Sequence, residues 1–217
     1  MAEAMRQEIA SMLKGIQRYN PDNLQSVERY VTFQAKENAY DLEANLAVLK
    51  FYQFNQSYDI DMTCTILLKA LTNLPHTDFV LCKCLLNEGI VQESNVSRII
   101  HLANLLESCD FKQFWARLRE IPELHRHVVG FQDSIRKFVC HVIGITFQTI
   151  NKNLLAQLLG DVDSHTLNQW IQKYNWSLRS DGYVFVANQE ACIKTKNITE
   201  NIAFDSVMNI MKYCRQG

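Results

Sequence analysis

Glycine and proline are scarce in this sequence, with 7 and 3 residues among 217. That excludes collagen-like and low-complexity chains, and it leaves no cluster of glycines to cradle a phosphate. Neither sign of charge is in excess: 22 Lys and Arg stand against 23 Asp and Glu, a formal net charge of −1. A protein that coats nucleic acid carries a basic surplus, so that class is excluded as the main function. Long apolar runs are missing too. Near the middle, the longest stretch without Asp, Glu, Lys or Arg is Phe138 to Asn151, 14 residues. A membrane span needs roughly 20. Met1 to Arg6 carries Glu3 and Arg6 with no apolar segment behind them, which predicts no signal peptide. Catalytic signatures are equally absent. There is no dinucleotide fingerprint, no Gly-x-Ser-x-Gly elbow and no His-Glu-x-x-His zinc pair, so no enzyme, metal or cofactor is expected.

What is present is an ordinary globular composition, 47% hydrophobic and 21% charged, enough to bury a sizeable core at this length. The seven cysteines are an odd number and scattered: Cys64, Cys82, Cys84, Cys109, Cys140, Cys192 and Cys214. Most sit inside apolar helical patterns, where a free thiol packs as a small hydrophobe. A reduced, cytoplasmic protein is the consistent expectation.

The first 130 residues read as a string of amphipathic helices. Met5 to Tyr19 stops at Asn20-Pro21, because proline disfavours helix in the residue before it. A second helix starts near Leu24, with Asp22 or Asn23 as cap. Tyr40 to Phe54 carries Leu42, Leu46 and Leu49 at i, i+4, i+7. Met62 to Leu74 ends at Pro75, and Asp78 caps a helix to Asn87. Val96 to Glu107 is capped by Ser94, and Phe111 to Glu120 ends before Pro122. Pairs of these helices recur about every 35 residues, the period of HEAT- and TPR-like helical-hairpin solenoids. An irregular helical bundle satisfies the same spacing. After Gly130 the pattern changes. A long apolar helix is read over Phe131 to Ile150, then short helices over Lys152 to Leu159 and Ser164 to Tyr174. Two β-prone runs follow, Trp176 to Leu178 and Tyr183 to Ala187, around Asp181-Gly182, a hairpin signal. Three helices and a hairpin are the layout of a winged helix, and a last helix is read over Phe204 to Cys214. The predicted fold is therefore mostly α. A helical array, residues 1–130, precedes a winged-helix domain with a C-terminal helix, residues 131–217.

Several constellations resemble chemistry only superficially. Cys82-x-Cys84 falls in a helix, where i, i+2 positions point to different faces, and zinc pairs are spaced more widely. His125-x-His127 lacks a carboxylate or Cys at ligand spacing and reads as a solvated loop. Cys140 and His141 point about 100° apart on a helix, which favours a buried core Cys. His76-x-Asp78 is explained by capping through Asp78. In the winged helix, the recognition helix carries Asn168, Gln169 and Gln172 but one basic residue, Lys173, with Asp161 and Asp163 beside its start. Specific DNA binding is therefore not expected, because affinity for a duplex rests on phosphate contacts. Residues 131–217 hold 9 basic and 7 acidic side chains, against 13 and 16 before them. That lean allows weak RNA contact through Lys152, Lys173, Arg179, Lys194 and Lys196, whose alternative is a solvated face. The hairpin carries Tyr183 and Phe185 on one face and Val184 and Val186 on the other. With Phe204, Met208 and Met211 of the last helix, Tyr183 and Phe185 form the candidate partner-binding surface.

Longer strings carry a resemblance. Arg18-Tyr19-Asn20-Pro21, LQSVERYV (Leu24 to Val31), ENAYDLEANLAVLKFY (Glu37 to Tyr52), LLKALTNLPHTD (Leu67 to Asp78) and FQDSIRKFVCHVIG (Phe131 to Gly144) resemble PCI-domain subunits of eukaryotic translation initiation factor 3. So does Leu158 to Trp176, ending in Lys173-Tyr174-Asn175-Trp176. The resemblance spans nearly the whole chain. It implies a PCI-type fold and a non-catalytic scaffold subunit that helps assemble initiation complexes on the small (40S) ribosomal subunit, with no membrane association. It also implies other subunits of the factor as partners, subunit L in particular. A PCI scaffold subunit of the proteasome lid or the COP9 signalosome, or an RNA-binding winged-helix module, is the alternative.

Overall fold

In the computed structural model the described residues are 2–15 and 20–188, with 207, 208 and 211. Residues 1–187 form one compact unit and 188–217 another. The first unit holds α1 (Ala2–Met12), a 3-10 turn (Pro21–Asn23), α2 (Leu24–Lys36), α3 (Leu42–Asn55), α4 (Ile60–Leu71), α5 (Asp78–Lys83), α6 (Glu88–Gln92), α7 (Ser94–Glu107), α8 (Phe111–Glu120), α9 (Pro122–His125) and α10 (Phe131–Thr146). After these come β1 (Thr149–Asn151), α11 (Lys152–Leu158), α12 (Ser164–Lys173), β2 (Ser177–Leu178) and β3 (Tyr183–Phe185). Helices α2 to α5 start at residues 24, 42, 60 and 78, so each helix with its connection takes the same length of chain.

Helix α4 is the axis of this packing. It is apolar nearly all round, and Thr63 through Leu71 are all buried, as expected of a helix enclosed on every side. It packs against α2, α5, α7 and α10. Asp59 starts it by accepting from the Met62 N–H at 2.9 Å, filling one of the donors a helix start leaves open. Lys69 lies within this interior at 1% exposure, and burial pushes its ammonium down to about 8. Beside it, α2 and α3 share a buried polar bridge. The Gln34 side-chain amide donates to Asn45 Oδ1 at 3.1 Å, and its Oε1 accepts from the Asp41 N–H at 2.7 Å.

Three capping expectations do not hold, and one of them gives way to a longer-range contact. Asn23 makes no side-chain cap to α2. Ser94 is the first helical residue of α7 rather than its cap. Asp78 does not cap α5 either. Its buried carboxylate accepts from the Tyr40 hydroxyl at 2.6 Å and the Asn73 amide at 2.7 Å, and a buried charge takes such partners in preference to a solvated cap. Beyond residue 120 the expected loop contains the single turn α9. His127 Nε2 lies 2.9 Å from Thr65 Oγ1, and His125 Nε2 lies 3.2 Å from the Gln132 amide nitrogen. Burial lowers the pKa of both imidazoles. His125 is thus half-buried against α10, whereas His127 is exposed, as expected of a solvated loop, with its ring against Thr65. Helix α10 stops at Thr146, short of Ile150, because Thr149–Asn151 is drawn into antiparallel pairing with β3.

One apolar core runs through the first unit, from Ile9 to Val186, and it continues across residue 130. The contacts that carry it across are specific. Trp115 Nε1 of α8 donates to Leu158 O at 2.8 Å, and Arg136 of α10 donates to Leu159 O at 3.1 Å while its guanidinium lies 5.3 Å from the Trp115 ring centre. Gly160 has φ +95, and a Cβ there would lie 2.9 Å from the indole, so only glycine lets the turn close on Trp115. Arg119 closes the outside with an ion pair to Asp161 at 2.8 Å.

Candidate interaction surface

The last three helices and the strands follow the order helix, strand, helix, helix, strand, strand, in a sheet of order β1-β3-β2 with both pairings antiparallel. This is the connectivity of a winged helix. Asp163 sets α12: its carboxylate accepts from the N–H groups of His165 at 3.0 Å and Thr166 at 3.2 Å, and from the Thr166 hydroxyl at 2.6 Å. The Thr166 hydroxyl first, then the backbone donors, hold the carboxyl below its usual range. Leu167, Trp170 and Ile171 are buried beneath. Tyr174 stacks on Trp170 at 6.3 Å and leans on Trp176 at 5.4 Å. Lys173 Nζ rests 4.5 Å above the Trp170 ring.

The hairpin turn is built by two residues. Gly182 takes φ +81, and Asp181 Oδ1 accepts from the Tyr183 N–H at 3.0 Å. The alternation of a strand then divides its side chains. Val184 and Val186 are buried on the core face, while Tyr183 (44% exposed) and the half-buried Phe185 face outward. Register places Thr149, Asn151 and Ser177 around them. The Arg179 guanidinium lies 5.0 Å from the Phe185 ring centre. Leu178, at the outer edge strand β2, is 51% exposed. The outward face is thus a small aromatic patch with one cation lying on it.

Of the sequence-predicted partner residues, the structure sets Tyr183 and Phe185 side by side on this face. Met208 and Met211, in the second unit, are exposed at 48% and 60%, and Phe204 lies outside the described residues. Of the predicted RNA contacts, Lys152 and Arg179 flank the turn. The Lys152 N–H donates to Gly182 O at 3.1 Å, and the Gly182 N–H donates to Arg179 O at 3.3 Å. Lys173 lies apart, on Trp170, and Lys194 and Lys196 lie outside the described residues. The cysteine expectations resolve simply: Cys82 is buried and Cys84 exposed, and Cys140 is buried while its neighbour His141 is exposed. Among the described residues no group of His, Cys, Asp and Glu is arranged to hold a metal ion, and no helix is long and apolar enough to cross a membrane. Sequence reading missed the cleft where α8, α9 and α10 meet. Its residues are spread from Trp115 to Gly160, and no local spacing links them.

A mostly helical chain that ends in a small three-stranded antiparallel sheet fits a PCI-type domain. The comparison with known families agrees and is narrower: residues 57–197 match the CSN8/PSMD8/EIF3K family, and the chain belongs to it. Full-length relatives are similar throughout. A silk moth (Bombyx mori) protein named eukaryotic translation initiation factor 3 subunit K is 60% identical over 213 residues, covering 97% of both chains. The mouse and human proteins of the same name are 55% and 54% identical over 212 residues, again covering 97% of each chain.

Proposed function

We propose that this chain is a non-catalytic scaffold subunit of eukaryotic translation initiation factor 3, helping to assemble initiation complexes on the small ribosomal subunit in the cytoplasm. One observation carries the reading: end-to-end identity of more than half the residues with proteins named as its subunit K. Subunits of the proteasome lid or signalosome would share the fold but not that identity. Within the complex, subunit L is the proposed neighbour. The outward face of Tyr183 and Phe185 and the segment with Phe204, Met208 and Met211 are the proposed contacts, because exposed aromatics and methionines make adaptable interfaces. Residues 1–130 would act as the supporting array and 131–217 as the docking module.

The experiment is affinity purification of the tagged full chain from cytosol, with identification of what co-purifies. Subunits of the initiation factor are expected, and their absence overturns the reading. A chain ending at Ile202, or one carrying Tyr183→Asp, is expected to lose its direct neighbour; full retention by both removes these contact residues. RNA contact through Lys152, Lys173, Arg179, Lys194 and Lys196 is secondary to this role. It predicts salt-dependent affinity that falls when Lys152, Lys173 and Arg179 become Ala, and no binding at low salt removes it.

A further inference from the structure

The net charge of −1 conceals a sharp local contrast. Residues 1–110 hold 9 basic and 14 acidic side chains, whereas residues 111–146, which contain α8, α9 and α10, hold 6 basic and 3 acidic. Two clefts lie among those three helices, of about 580 Å³ and 270 Å³. They share Pro122, His125, Gln132 and Arg136 as walls, so they form one trough. The inner end runs over the Trp115 ring and Leu118 to Gly160. The outer end opens at Arg126 and at Val129, an apolar side chain 52% exposed.

The ionic partners in the trough are unequal. Arg119 is neutralised by Asp161 at 2.8 Å and Arg136 by Asp133 at 2.9 Å. Arg126 is exposed and makes no ion pair among the described residues. At the head of α10, Gly130 provides no side chain to cap the first turn, and Asp133, the acidic residue of that turn, is taken up by Arg136. A trough with mixed polar and apolar walls, an exposed apolar lip and one guanidinium outside any ion pair suits an extended chain that alternates apolar side chains with carboxylates. A nucleic acid strand fits it less well. Phosphate binding along a strand needs several free cations, and the trough offers one.

We infer that the trough between α8, α9 and α10 is a second docking site, which takes an acidic peptide segment with apolar side chains from a partner protein. It shares no residue with the winged-helix contacts proposed above and does not depend on them.

The test uses the isotope-labelled full chain and three probes: a short peptide alternating Glu with Leu, the same peptide with Lys in place of Glu, and a short oligouridylate. The acidic peptide is expected to shift the backbone amide signals of Val129, Gly130 and Gln132 in a saturable way, and the Lys peptide to leave them in place. Arg126→Glu, at an exposed position, is expected to weaken the acidic peptide about tenfold or more. Val129→Ser should weaken it by a smaller factor, with the thermal midpoint unchanged in both. Unmoved signals, equal response to the Lys peptide, a stronger response to the oligouridylate, or full affinity of Arg126→Glu each overturn the inference. Tyr183→Asp should leave peptide binding intact, which separates this result from the fate of the winged-helix reading.

Discussion

Two arginines in this molecule lie on aromatic rings in nearly the same way. Arg136 sits 5.3 Å from the ring centre of Trp115 and Arg179 sits 5.0 Å from that of Phe185. The likeness ends at the ring. Arg136 also donates to Leu159 O, to Asp133 and to Gln132, and its side chain is 17% exposed. It is enclosed at the joint of α8, α10 and the turn after α11. Arg179 lies on the outward face of a short hairpin, with the half-exposed Tyr183 beside it. A cation over a ring contributes more when it is desolvated and otherwise bonded, and little when water can replace it. The joint therefore spends its aromatic and cationic groups on holding the array to the winged helix. The hairpin leaves the same kinds of group available to a partner.

The largest expected effect separates the two regions directly. Trp115→Ala removes an indole that is nearly fully buried, donates to Leu158 O and packs on Gly160. It is expected to cost about 4 kcal/mol. Tyr183→Ala, on the outward face, should cost under about 0.5 kcal/mol while weakening partner capture. Urea unfolding of both variants, followed by co-purification of any that fold, checks the pair. Equal stability losses would break the contrast between joint and hairpin.

A second test concerns a charge kept in the array's interior. Lys69 titrates at about 8 in the folded chain, against an ordinary value of 10.5. Between these values the unfolded chain binds more protons. Stability from this residue therefore rises with pH from about 8 to about 10.5, and its full cost is present below 8. Lys69→Met keeps the length of the side chain and removes the charge. It is expected to stabilise the protein on the order of 2 kcal/mol at pH 7. The difference between the two unfolding series should shrink as pH rises through that window. The buried tyrosines and cysteines, common to both proteins, cancel in the difference.

Much of the winged helix was legible in sequence because its signals are local. Asp163 lies just before α12 and caps it, and Leu167, Trp170 and Ile171 lie on one helical stripe. Asp181-Gly182 supplies both the side-chain acceptor and the positive φ of the turn. Where the reading failed, the deciding partner was far away in the chain. Thr149–Asn151 looks like the end of an apolar helix until β3 is present to pair with it. Asp78 has the position of a cap, yet Tyr40, 38 residues earlier, takes its carboxylate. The single turns α6 and α9 are too short to show a 3.6-residue period. The trough at α8 to α10 needs three separate segments, so no window of sequence could display it.

The last test returns to the two arginines and asks whether their surroundings, not their geometry, distinguish them. Arg136→Ala leaves Leu159 O and Asp133 without their donor and uncovers one face of Trp115. Charge-assisted bonds at a mostly enclosed site predict a loss of about 2 kcal/mol. Arg136→Lys should recover only part of it, since a single ammonium cannot reproduce a fork that reaches a carbonyl, a carboxylate and an amide at once. Arg179→Ala removes one cation–ring contact at the surface, and a loss near 0.5 kcal/mol is expected. Unfolding in low and high salt gives the sharper reading. Salt should reduce the Arg179 contribution and leave most of that from Arg136, because screening acts on exposed charges far more than on enclosed ones. If both losses were screened alike, the joint would be no more closed than the hairpin, and the division of labour between them would fail.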